Sequence, residues 1–464
     1  MQNDIKINLE NVHSGMKRKI YNKLLEWKNN EGKSALLIQG ARRVGKSYIA
    51  EEFGRNEYDS YILIDFSVAP EEIKELFRDY RHDISFVLNR LQVFYGVTLH
   101  ERRSLVIMDE VQFCPHARAA IKQLVAHGKY DYIATGSLIS IKQNVKDILI
   151  PSEEQTIEMY PMDFEEFLWA KGDNLLYPYI QKCYEEKKPL GSSIHRKATQ
   201  LFREYMAVGG MPQAVKAFSA GEGFDEVERI KSSIINLYRA DISKYANGQS
   251  MRVTAIFDEI PGQLQKHERK FTLSDISPNA RMRTYSEAFF WLADARIINS
   301  CYNSTAPNIG LRLNEERTTL KCYMGDTGLL ISMAFDEGGK DLHELYRKII
   351  FGKLEVNEGM IMENMVAQML TAAGHKLYFF SRNDSKDSSN TMEIDFMVAK
   401  SKVTSRHNII PIEVKSGSRY TYSSIRKLQE KFSAYLSTPI ILHTKDLEQK
   451  NGILYLPLYM TQLI

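Results

Sequence analysis

Four short apolar runs mark the N-terminal third of the chain: Ala35 to Ile38, Tyr61 to Ile64, Leu105 to Met108 and Tyr130 to Ala134. None alternates with polar residues, and stretches of helical period separate them. Such runs read as parallel strands buried on both faces, with helices on each side of the sheet. Ligands of such sheets lie at the carboxyl ends of the strands. Farther along the period changes. Arg252 to about Leu264 is helical, Phe271 to Ile276 reads as a short strand leading into a second helix, and Pro278 breaks the run. Arg281 to Asp294 then forms a third, amphipathic helix, and Ala295 to Tyr302 and Leu320 to Met324 alternate like paired strands. Near the end, Met360 to Leu370 is helical, and charges interrupt two strands, Met392 to Val398 and Ile409 to Lys415.

The residues after the first and third of the N-terminal apolar runs carry chemistry. Gly40-Ala41-Arg42-Arg43-Val44-Gly45-Lys46-Ser47, followed by Tyr48, links a strand to a helix. The glycines let backbone N–H groups converge on phosphate oxygens, and the helix N-terminus adds a favourable dipole. Lys46 is placed to reach the β- and γ-phosphates, and Ser47 to bind Mg²⁺. Leu105 to Met108 runs into Asp109-Glu110, a Walker B pattern in which Asp109 holds Mg²⁺ and Glu110 polarises the attacking water. Thr135 and Ser137, after the fourth strand, read either as sensors of the γ-phosphate or as plain strand-to-loop caps. The expected ligands are ATP and Mg²⁺.

Composition narrows the class. In 464 residues, 26% are charged and 44% hydrophobic, and the formal net charge is only +3, so a nucleic-acid surface has to be a local patch. Length alone predicts about three domains. The four cysteines, Cys114, Cys183, Cys301 and Cys322, show no CxxC spacing and read as reduced core thiols. The start, MQNDIKINLE, lacks the pattern of a signal peptide, and no apolar run is long enough to span a membrane. A cytoplasmic address and no membrane partner are expected.

These motifs, with ATGS at 134–137, YPMDFEEFLWA at 160–170, VGGMPQAV at 208–215 and KCYMGDTGLL at 321–330, resemble a family of bacterial and archaeal AAA-type ATP-binding proteins. In that family a P-loop domain precedes a C-terminal domain of unknown function of the DUF4143 type. The resemblance implies a helical lid in which Gly210-Met211-Pro212 packs near the nucleotide base; a glycine-rich turn before a helix is the plainer reading. An arginine finger is sought among Arg118, Arg203 and Arg239. Asp326 and Gly328 look like a junction element with no evident chemistry.

The helix, strand and paired-strand order after Arg252 fits a winged helix-turn-helix, with Arg281, Arg283, Thr284 and Tyr285 at the start of its third helix. Such a module serves either DNA contact or inter-domain packing. The last two strands resemble the PD-(D/E)xK nuclease superfamily. Asp395, Glu413 and Lys415 occupy the matching positions, Glu363 matches the acidic residue of the first helix, and Ile394 replaces the usual proline. Asp395 and Glu413 could hold Mg²⁺, with Lys415 beside them to position a water. The loop NDSKDSSN, 383–390, is too polar to build a core.

The expected fold is α/β: a P-loop NTPase parallel sheet with a helical lid, a winged helix-turn-helix, and a restriction-endonuclease-like C-terminal domain. The corresponding segments are an N-terminal helical segment at 1–32, an ATPase core at 33–155, a lid at 156–245, a winged-helix-like unit at 246–335 and a nuclease-like unit at 336–464. Three functional readings follow: an ATPase acting on or regulated by DNA, a nucleotide-dependent switch or scaffold whose nuclease-like domain is silent, and an ATP-gated DNA nuclease. Oligomeric state is not legible in the chain.

Overall fold

A computed structural model describes the chain apart from residues 1–15, 137–151, 247, 267–269, 309, 336–341, 355–356, 384–385, 388–389, 401–406 and 418–420. Ser137 and part of the polar loop at 383–390 lie outside the described residues. The first sheet is wholly parallel and contains β1 (Ala35–Gln39), β2 (Ser60–Asp65), β3 (Ser104–Asp109), β4 (Asp131–Gly136) and β5 (Glu154–Glu158). Its order is β2-β3-β4-β1-β5. Every residue of β1, β3 and β4 is buried, which is why these strands read as continuous apolar runs. The fifth strand, EQTIE, sits at the sheet edge with no buried residue.

The register aligns the carboxyl ends. Ile38 pairs with Thr135 and Gln39 with Gly136, while Met108 pairs with Ala134. The loop after β1 therefore opens beside the end of β4, and the acidic end of β3 lies on the far side of β4. Helix Lys46–Glu57 begins directly at the loop, with Gly45 as its N-cap.

Among the described residues six helices, Phe164–Ala170, Leu176–Glu186, Ser192–Val208, Pro212–Ser219, Gly223–Tyr245 and Ser250–Gln265, follow the first sheet. Residues 271–276 do not form the expected strand and helix. They make a 3₁₀ turn at Leu273–Asp275, since Gln263 Oε1 accepts from Thr272 N at 2.8 Å and Phe271 N reaches Leu320 O at 2.9 Å. Helix Met282–Asp294 then leads to an antiparallel pair, β6 (Ile298–Ser304) and β7 (Glu315–Met324).

That pair does not stand apart as a free wing. Tyr302 of β6 pairs in parallel with Tyr378 of β8 (Tyr378–Arg382). The sheet continues through β9 (Met392–Ala399), β10 (Ile409–Val414), β11 (Ile440–His443), β12 (Glu448–Lys450) and β13 (Ile453–Pro457). The eight-stranded mixed sheet has the order β12-β13-β11-β10-β9-β8-β6-β7. Against it lies helix Glu358–Ala372, buried from Met360 through Leu370. One apolar cluster runs from Leu36 and Ile38 of the first sheet, through Phe167, Tyr205 and Ile234, to Val366 and Leu456 against the second. The two sheets thus share a core.

Candidate functional site

The loop between β1 and helix Lys46–Glu57 is wound tightly by two left-handed residues, Arg43 at φ 70° and Gly45 at φ 96°. A side chain at Gly45 would be strained there. Lys46 is buried, and its Nζ donates to Gly40 O at 3.1 Å and Ala41 O at 3.0 Å. Burial pushes its pKa down, and the carboxylates of Glu110 and Asp109 oppose that shift. Ser47 Oγ donates to Asp109 Oδ1 at 2.8 Å. Thr135 Oγ1 donates to the same oxygen, and Glu110 N donates to Thr135 Oγ1 at 3.3 Å. Thr135 thus ties the ends of β3 and β4 together. Asp109 is buried; desolvation raises its pKa, and the Thr135 and Ser47 hydrogen bonds lower it.

Glu110 occupies the left-handed region at φ 50°, and Gln112 Nε2 donates to its Oε2. A non-glycine residue held there is strained, and such strain concentrates at functional positions. Tyr48 follows on the helix and is 48% exposed.

Residues that the sequence did not single out grip the loop from outside. Arg18 Nη1 donates to Val44 O at 2.8 Å, its Nη2 to Tyr160 O at 2.7 Å, and its guanidinium pairs with buried Glu166 at 3.1 Å. From helix Gly223–Tyr245, Tyr238 donates to Arg42 O at 3.1 Å and Asp241 pairs with Arg42 at 2.5 Å. The Pro212 ring lies over the loop, 3.7 Å from where a Cβ on Gly45 would stand.

The motifs at 160–170, 208–215 and 321–330 meet in one buried knot behind Pro212. Asp326 Oδ2 accepts from Gly210 N at 2.6 Å, and its Oδ1 caps helix Thr327–Ala334 by accepting from Leu329 N at 3.0 Å. Met162 N donates to Gly210 O at 2.7 Å, and Tyr205 donates to Met162 O at 2.8 Å. A Cβ on Gly328 would stand 2.4 Å from Val208 O, so only glycine fits that crossing. Helix Glu358–Ala372 closes the knot. Gln368 Oε1 accepts from Thr327 N at 2.7 Å, and Asn364 Oδ1 accepts from Met324 N at 2.7 Å. Lys231 is wholly buried beneath it, donating to Ala207 O at 3.2 Å and Gly328 O at 3.3 Å and pairing with Glu228 at 3.2 Å.

The arginines considered for a finger each face a local partner. Arg118 forms a buried pair with Glu154 at 2.7 Å, Arg239 pairs with Asp258 at 3.0 Å, and Arg203 lies against Gly352. Arg281, Arg283 and Thr284 are exposed at the start of helix Met282–Asp294, whereas Tyr285 is half-buried under Arg252.

In the second sheet, Glu363, Asp395, Glu413 and Lys415 converge. Val414 N donates to Asp395 Oδ2 at 2.9 Å, and Lys415 pairs with Glu413 at 2.7 Å. Burial raises the pKa of Glu413 against the pull of Lys415. Glu363, on the buried helix, accepts from Tyr323 and pairs with Lys321 at 3.4 Å. Among the described residues no helix is long and apolar enough to cross a membrane.

Three family models match the chain in order: an AAA domain over residues 32–168, a domain of unknown function (DUF8612) over 199–338, and a domain of unknown function (DUF4143) over 358–460. An uncharacterized protein of Methanocaldococcus jannaschii, MJ1637, is 23% identical over 202 residues, an alignment spanning 40% of either chain. Among solved structures, the Aeropyrum pernix ORC1 protein in complex with DNA overlaps 68% of this chain and 91% of its own, at 12% identity and TM-score 0.30. Cdc6p from Pyrobaculum aerophilum overlaps 75% and 97%, at 12% identity and TM-score 0.25. The sheet order and the three family matches, rather than those low scores, define the architecture: the chain carries an AAA domain followed at its C-terminal end by a DUF4143 domain.

Proposed function

We propose that the chain binds ATP with Mg²⁺ at the loop Gly40 to Ser47, hydrolyses it, and uses the nucleotide state to set the relation between lid and C-terminal domain. One observation carries the reading: Ser47, Asp109 and Thr135 meet within hydrogen-bond distance beside a loop whose lysine lies folded inside it. A hydroxyl and a carboxylate side by side suit a hard divalent ion that keeps several waters. Ser47 and Asp109 would hold that ion, which neutralises charge developing on the transferred phosphoryl group. Lys46 would exchange its bonds to Gly40 O and Ala41 O for phosphate oxygens. Glu110 would orient and polarise the attacking water, while Thr135 fixes the carboxylate end of β3 against β4. Pro212 would bring the lid against the nucleotide.

The switch reading is favoured by the knot at Asp326, which joins the Pro212 turn directly to the helix carrying Glu363. A DNA-directed reading draws on exposed Arg281 and Arg283. It predicts duplex binding that weakens steeply with salt and stimulates ATP turnover. Fluorescent-ATP titration and phosphate release test the core claim. Lys46→Ala should remove nucleotide binding; Glu110→Gln should keep it while slowing turnover by roughly 10²–10⁴-fold. Unchanged turnover in both variants would refute the assignment.

A further inference from the structure

The carboxylates of the C-terminal sheet face a cation that the chain itself supplies. Lys321 and Tyr323 lie on one face of β7, two residues apart, so both project toward helix Glu358–Ala372. Tyr323 donates to Glu363 Oε1. Lys321 Nζ stands 3.0 Å from Glu393 Oε1, 3.4 Å from Glu363 Oε1 and 3.9 Å from Asp395 Oδ1. Its side chain is 1% exposed and lies 5.2 Å from the centre of the Phe379 ring. An ammonium has three protons and no acceptor, and here it has three carboxylates around it. Glu413 lies outside this trio: Lys415 stands 2.7 Å from its Oε2, and its Oε1 is buried with no hydrogen-bond partner among the described residues.

A divalent ion would need these oxygens at about 2.0–2.6 Å, in the space the ammonium fills. Among the described residues no group of three or more His, Cys, Asp or Glu is arranged to hold a metal. A Mg²⁺ ion does not fit among Glu363, Glu393 and Asp395 as they are placed around the ammonium.

We propose that Lys321 is the resident cation of this cluster and stands where a divalent ion would, so that the DUF4143 domain serves as a coupling module that does not cut DNA. The position of Lys321 supports this role. Its strand runs straight into Gly325-Asp326, so the ammonium ties the strand leading to the Pro212 turn to β9 and to helix Glu358–Ala372. The inference deepens the switch reading yet is independent of the nucleotide site, and its test uses nucleotide-free protein.

Full-length wild type, Asp395→Asn, Lys321→Ala, Lys321→Met and the two Lys321 variants combined with Asp395→Asn are titrated with Mn²⁺. Free Mn²⁺ is read by electron paramagnetic resonance, and thermal melting is followed with and without the ion. Wild type and Asp395→Asn should bind Mn²⁺ alike. Lys321→Ala should gain about one ion per chain and melt higher when Mn²⁺ is added, and Asp395→Asn in that background should erase both gains. Lys321→Met keeps the apolar stem in place and decides the matter if the alanine variant does not fold. Mn²⁺ binding by wild type that depends on Asp395 overturns the proposal. So does Mg²⁺-dependent nicking of supercoiled DNA by wild type, and so does absence of any gain in both Lys321 variants.

Discussion

Asp326→Ala should be the most informative single change outside the nucleotide loop. The carboxylate is 1% exposed and fills two roles, acceptor for Gly210 N and N-cap of helix Thr327–Ala334. Loss of the cap costs about 1 kcal/mol. The Gly210 N–H, buried with no acceptor, costs roughly 1–3 kcal/mol more. The two terms sum to about 2–4 kcal/mol; desolvation, which raises the Asp326 pKa, is relieved in the variant and trims this, so a net loss of about 1–3 kcal/mol is expected. Asp326→Asn retains an acceptor oxygen and should lose about half as much. Urea unfolding read through Trp27, Trp169 and Trp291 measures the difference, since these lie in helix Ile20–Lys28, in helix Phe164–Ala170 and in the helix before β6. Because Pro212 follows Gly210 by two residues, about 1 kcal/mol felt at the loop would weaken fluorescent-ATP binding roughly fivefold. A loss under about 1 kcal/mol, or an asparagine variant as damaged as the alanine one, would refute the assignment of both roles to this carboxylate.

Two further outcomes follow from the loop. Arg18→Ala should cost about 2–4 kcal/mol, because it takes the paired cation from buried Glu166, which keeps only the Lys19 and Asp163 N–H groups, and frees Val44 O and Tyr160 O together; Arg18→Lys should not rescue it, since one ammonium cannot replace the fork. Thermal melting of the two variants checks this. Lys46 should link nucleotide binding to protons. Burial lowers its pKa from the ordinary 10.5 in the free protein, and phosphate would raise it again. Between those values the complex holds the proton and the free protein does not, so affinity falls as pH rises through that window and is flat below it. The free protein gains stability as pH rises through the same window, because the unfolded lysine still binds the proton there. Calorimetry in buffers of different ionisation enthalpy measures the uptake; a heat of ATP binding to the wild type that does not depend on the buffer within that window would exclude this linkage.

The parallel core was legible because β1, β3 and β4 are buried on both faces and present unbroken apolar runs. The edge strand β5, EQTIE, gave no such signal. The pairing of β6 with β7 could be read from alternation, but not their union with the C-terminal sheet, which depends on Tyr302 meeting Tyr378 across a long stretch of chain. The loop and the Asp109-Glu110 pair are local motifs and were visible. Arg18, Tyr238 and Asp241 act through tertiary contacts with loop backbone, and no local pattern marks them. Asp326 had a readable part, since an acidic residue just before Thr-Gly-Leu-Leu is a helix cap; its bond to Gly210 was beyond any spacing rule. Lys321 lay inside a segment already noted for its resemblance, yet only the fold brings it to Glu363 and Glu393.

The polar residues of helix Glu358–Ala372 bear on how the two ends of the molecule can move. Glu363, Asn364 and Gln368 are the buried polar members of an otherwise apolar stretch from Met360 to Leu370. Asn364 and Gln368 satisfy backbone N–H groups of Met324 and Thr327, and Asp326 between them satisfies Gly210. Irregular backbone trapped between domains must find such partners, because a buried N–H with none costs as much as a lost hydrogen bond. Swinging the C-terminal domain away as a rigid body would orphan the Met324 and Thr327 N–H groups together and open the shared apolar core. Small sliding within the interface would not, provided these bonds travel together. A nucleotide that displaces the Gly45 loop against Pro212 therefore has a stiff path to the helix carrying Glu363. The response this architecture allows is a concerted shift of lid, knot and helix, rather than release of a tethered module.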